Sequence, residues 1–195
     1  MAALSIVALV SPCAASADAG VPMLALVWPA SWVLFVPVVA LEAWFARKIP
    51  GMPFKRCALA SAAANAVSTL VGIPLVWVLL LVADFGLGGS SAHGTDTLWL
   101  RMYAVTVQAP WLIPYESELT WMVPAAAIVL LVPFFFASVF IERAVFLRFC
   151  ESQSDLVRRW SWRANLASYG LLLAVLVGVL AAAVVQSPPE PWTPR

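Results

Sequence analysis

The chain has 195 residues, of which 63% are hydrophobic and 11% charged, and its net charge is +1. A soluble domain is nearer half apolar and a quarter charged, so this excess, with a mean hydropathy of +0.94, points to the lipid bilayer as solvent. The near-neutral balance argues against a nucleic-acid partner, and three isolated cysteines with a single histidine, His93, argue against a zinc centre or a C-x-x-C dithiol.

The first twenty residues, MAALSIVALVSPCAASADAG, contain a short apolar core over 4–12 and an A-x-A-like site at Ala15-Ser16-Ala17. The segment is too short to span and resembles a secretory signal peptide, although its start lacks Lys and Arg. The rival readings are a start assigned elsewhere, or an uncleaved interfacial segment ahead of the first span. Cys13 fits a lipoprotein cysteine poorly because Pro12 precedes it.

A helical bilayer crossing takes about 20 apolar residues. Four stretches qualify, which predicts an all-α integral membrane protein with four transmembrane helices. The first covers 21–46 with Glu42 as its only charge, and the second covers 57–83 with none. The third covers 121–141 and continues as helix towards Phe149; the fourth, 164–186, is again uncharged. Pro29, Pro37, Pro74, Pro124 and Pro133 fall inside or at the start of the first three spans. Each removes a backbone donor and favours a kink that neighbouring helices absorb.

Loop charges set the orientation. The connection 47–56 carries Arg47, Lys48, Lys55 and Arg56, and the connection 143–163 carries Arg143, Arg148, Arg158, Arg159 and Arg163. Between them, 84–120 has Arg101 against Asp84, Asp96, Glu116 and Glu118. Positive loops stay in the cytoplasm. The two basic connections are therefore expected inside a plasma (inner) membrane, with 84–120 and both termini extracytoplasmic.

Shifted by one hundred positions, the two halves align their few polar residues. Leu41-Glu42 faces Ile141-Glu142, Lys48 faces Arg148, Ala64-Asn65 faces Ala164-Asn165, and Ser68 faces Ser168. The Glu-to-Asn spacing is 23 residues in both halves. Each half, 21–83 and 121–186, reads as a helical hairpin. Two spans separate equivalent points, so the hairpins share one orientation, as in a parallel repeat about the membrane normal. Asn65 lies about two turns into its span, roughly 12 Å, so an antiparallel hairpin brings it to the depth of Glu42. Glu142 and Asn165 stand in the same relation. Asn and Ser three apart share a helix face, and the small residues around them permit close helix approach.

Three roles follow for Glu42, Asn65, Ser68, Glu142, Asn165 and Ser168. They are latches that close each hairpin, or the glutamates snorkel and pair with Arg47, Lys48, Arg143 or Arg148, or the set handles an ion, proton or ligand.

The outer stretch 96–121 mixes Trp99, Tyr103, Trp111, Tyr115 and Trp121 with aliphatics, as at a headgroup boundary. It is expected to lie on the leaflet, dip into it, or cap the helices. Glu116 and Glu118 read as a solvated acidic turn or a recognition rim, and His93 as a loop histidine. The third connection, with Trp160 and Trp162 among arginines, reads as a short amphipathic helix on the inner leaflet. The proline-rich tail, 187–195, reads as extended and disordered.

No nucleophile triad, phosphate loop or metal cluster is present in the sequence, so no enzyme and no cofactor is expected. The chain resembles small polytopic membrane proteins of bacteria. The expected function is a non-enzymatic scaffold or accessory subunit whose partners are the bilayer and a membrane protein or a second copy. The alternative is a small transporter or channel with Glu42 and Glu142 in a polar cavity. A lipid-acting enzyme at the inner interface lacks a catalytic partner for its arginines.

Overall fold

A computed structural model describes residues 29–86, 97–103, 106–107, 119–150 and 154–186. The proposed signal segment, most of the outer loop, His93, Glu116, Glu118 and the tail lie outside the described residues. Among the described residues the chain is all-helical: α1 (Pro29–Ala46), α2 (Phe54–Gly86), α3 (Leu98–Tyr103), α4 (Leu119–Phe146) and α5 (Ser154–Gln186). α2, α4 and α5 are each long and apolar enough to cross a membrane. The described apolar part of α1 is shorter, Trp32–Ala46.

Local chemistry sets the helix ends. Pro53, which cannot donate, supplies the carbonyl that receives the amides of Arg56 and Cys57 and so opens α2. Gly51 turns the chain with φ +78°, a conformation that a Cβ disfavours. The turn after α1 has the bonds Arg47 N–H to Ala43 O, Lys48 N–H to Phe45 O, and Ile49 N–H to Ala46 O. The turn after α4 has the same three at Leu147, Arg148 and Phe149, each one hundred residues on.

The short inner-leaflet helix expected between the last two spans is not a separate element. Ser154 to Gln186 is one continuous helix of 33 residues, about 50 Å long, with Asp155 in its first turn. No proline or glycine interrupts it before Gly170. It exceeds the hydrocarbon thickness of about 30 Å by several turns.

α2 packs against α1 and α4, and α5 packs against α4 and α1. Each hairpin thus meets the other along two edges. Alanines at these seams, among them Ala43, Ala60, Ala64, Ala126 and Ala164, are buried and let the backbones approach. The outward faces stay apolar, with Leu59, Leu70, Leu79, Leu166 and Val185 exposed, as a lipid solvent requires. One core cluster, at the end with the basic turns, joins Ala46, Ala60, Ala64, Phe146, Trp160 and Ala164. A second joins Val76, Trp121, Met122, Ala126, Leu130 and Ala183 towards the other end.

Candidate functional site: a buried carboxyl pair

The polar residues of the two hairpins converge between these clusters. Glu42 comes from α1, Asn65 and Ser68 from α2, Glu142 from α4, and Asn165 and Ser168 from α5. Glu42 is 0% exposed and Glu142 1%. Asn65 Nδ2 donates to Glu42 Oε2 at 2.5 Å, and Asn165 Nδ2 donates to Glu142 Oε2 at 2.7 Å. Each amide also donates to a carbonyl one turn back, at Ser61 and Ser161, both at 3.0 Å. The second bond fixes the amide rotamer, so the carboxyl meets a donor already in place.

The serines cross over. Ser68 Oγ donates to Glu142 Oε1 at 2.9 Å, and Ser168 Oγ donates to Glu42 Oε1 at 2.8 Å. Every carboxyl oxygen therefore accepts one bond. Each glutamate is held by the asparagine of its own hairpin and the serine of the other. Each serine hydroxyl has a second acceptor on its own helix, Asn65 O at 3.1 Å or Asn165 O at 3.2 Å.

The expected alternative, pairing of the glutamates with nearby basic side chains, is not what the chain adopts. Among the described residues the ion pair is Arg158–Asp155 on the surface, at 3.5 Å. Arg143, next to Glu142 in sequence, has a buried Nε without a partner. Both carboxyls point inward between the helices, where amide and hydroxyl donors offset the loss of water.

The two halves differ around this shared centre. Ser161 Oγ donates to Val139 O at 2.7 Å, whereas Ser61 Oγ is buried without a partner. Trp160 Nε1 donates to Glu42 O at 3.0 Å, where the first hairpin has only Ala60. The Trp160 ring lies on Phe146, centroids 3.9 Å apart. Asn165 Oδ1 is also buried and unpartnered.

Away from the basic turns, Ser138 and Tyr169 share a hydrogen bond of 2.9 Å. Beyond them is a cavity of about 240 Å³. Its walls are mostly apolar, with Trp32, Phe35 and Phe134 among them, and its polar end is Asn65, Ser68, Ser138, Glu142 and Tyr169. Ser138, Tyr169 and the Ser61/Ser161 pair are site residues that the sequence does not single out, and Trp160, expected on the inner leaflet, is instead buried against Glu42 O. Only Ser61 and Ser161 carried a signal, since they obey the shift of one hundred.

No family model, curated protein or solved structure matches this chain.

Proposed function

We propose that the protein is a non-enzymatic scaffold or accessory subunit of a membrane complex. In this reading α1, α2, α4 and α5 all span the bilayer as a four-helix bundle. The bundle consists of two hairpins in one orientation, with the basic turns in the cytoplasm and the segment 84–120 outside. The crossed serine bonds carry the proposal. They tie each hairpin to the glutamate of the other and, with the two asparagine bonds, leave every carboxyl oxygen occupied by a neutral donor. A side chain so engaged holds helices together, and such bonds between membrane helices are worth about 0.6 kcal/mol on average and up to about 2. The matching turn bonds one hundred residues apart support the paired-hairpin architecture. The outward apolar faces and the exposed Trp99 offer surface to lipid and to a partner subunit.

A second reading, a small transporter or channel, is favoured by one observation: the cavity of about 240 Å³ ends on Asn65, Ser68 and Glu142. Reconstitution separates the two. For a scaffold, proteoliposomes with the full chain pass protons and monovalent cations no faster than empty vesicles, and Glu42→Gln with Glu142→Gln changes nothing. A flux that this double variant abolishes overturns the scaffold reading.

A further inference from the structure

The ends of the two hairpins bring Cys57 and Cys150 to Met52. Cys57 sits in the first turn of α2, Cys150 follows α4, and Met52 lies in the turn between α1 and α2. Cys150 Sγ is 2.7 Å from Met52 Sδ, and Cys57 Sγ is 3.8 Å from Met52 O. Cys57 and Cys150 are both free thiols, buried in the cluster at this end. Ile49, Phe146 and Phe149 close around them.

The donor set decides which ligand suits this place. Two thiols and a thioether are soft, polarisable donors, the kind that selects copper(I). Structural zinc takes four nitrogen or sulfur ligands, and among the described residues no group of three or more His, Cys, Asp or Glu converges to complete such a set. Two thiolates around a monovalent ion leave one net negative charge. Arg56, adjacent to Cys57, and Arg47, in the turn that leads to Met52, put two guanidinium groups at the same end of the bundle. The thioether is on a flexible side chain, so Met52 can swing to admit an ion between it and the thiols.

We propose that Met52, Cys57 and Cys150 form a three-coordinate, all-sulfur site for copper(I) where the two hairpin turns meet. Binding replaces two S–H protons by the metal and releases them to water, and the copper stays in the same oxidation state. The site joins the first hairpin to the second at a point separate from the carboxyl pair, and it does not depend on the scaffold reading.

Full-length protein in detergent, kept reduced and free of oxygen, is titrated with copper(I) against a chromophoric copper(I) chelator. The wild-type chain holds one equivalent against the chelator, and X-ray absorption shows sulfur as the only near neighbour. Cys57→Ser with Cys150→Ser loses the ion, Met52→Leu holds it less tightly, and Cys13→Ser keeps it. In the wild-type chain alone, copper(I) protects Cys57 and Cys150 from alkylation and leaves Cys13 unprotected, so the result does not hang on the folding of a variant. Surrender of all copper by the wild-type chain overturns the site. So does alkylation of Cys57 and Cys150 at the same rate with and without copper.

Discussion

The Ser168 hydroxyl donates to the Glu42 carboxyl at 2.8 Å, joining residues 126 positions apart. Ser68 returns the bond to Glu142 at 2.9 Å. Neither contact lies within a hairpin. A pair of hairpins closed only on themselves would be free to slide past one another; these two bonds fix one register.

That register can be measured as a coupling. Ser168→Ala and Glu42→Gln, made singly and together, are expected to be non-additive by about 0.5–2 kcal/mol in detergent unfolding, the range for hydrogen-bonded neighbours in membrane helices. The same holds for Ser68→Ala with Glu142→Gln. Additive losses in both cycles would mean that the crossed bonds do not hold the hairpins together.

The asparagines are expected to contribute more. Asn65→Leu and Asn165→Leu each leave a buried carboxyl short of a donor, a loss of about 1–3 kcal/mol apiece. The double variant therefore gives a lower yield and a lower melting temperature in detergent. Unchanged values in both measurements would remove the latch.

Trp160 tests packing and bonding separately. Trp160→Phe keeps a ring on Phe146 and removes the donor to Glu42 O, at a cost of about 1 kcal/mol. Trp160→Ala also empties the space beside Phe146 and costs about 3–5 kcal/mol. Equal losses from the two variants would show that the indole bond, and not the ring, is what matters.

Orientation is open to a labelling experiment. On a chain with its three native cysteines replaced, Lys48→Cys reacts with an impermeant maleimide only after the membrane is opened. Thr97→Cys reacts from outside in intact cells. The reverse pattern would invert the proposed topology.

Much of the frame was readable because the chain is so apolar. Charged and amide side chains inside long hydrophobic runs are conspicuous, and a shift of one hundred makes Glu42, Asn65 and Ser68 coincide with Glu142, Asn165 and Ser168. Helical periodicity also put Asn65 and Ser68 on one face. It could not say which glutamate that serine meets, because the answer depends on how α2 lies against α4. Nor could it bring Cys150 to Met52, since those residues are 98 positions apart and only the packing of the turns joins them. The start of α5 departs from the sequence expectation for a local reason: the arginines and tryptophans of 158–163 look like a surface segment, yet nothing in them stops a helix.

The aromatic pair at the basic end has a consequence for assembly. Phe146 and Trp160 are bulky where the first hairpin has Ala46 and Ala60, and all four pack in one cluster. Two copies of the first hairpin would leave that space hollow, and two copies of the second would crowd four rings into room for two. Each hairpin fits its opposite and not its twin. Carrying both on one polypeptide guarantees equal numbers of the two unlike halves, so the protein avoids the mismatched pairs that separate hairpins would form.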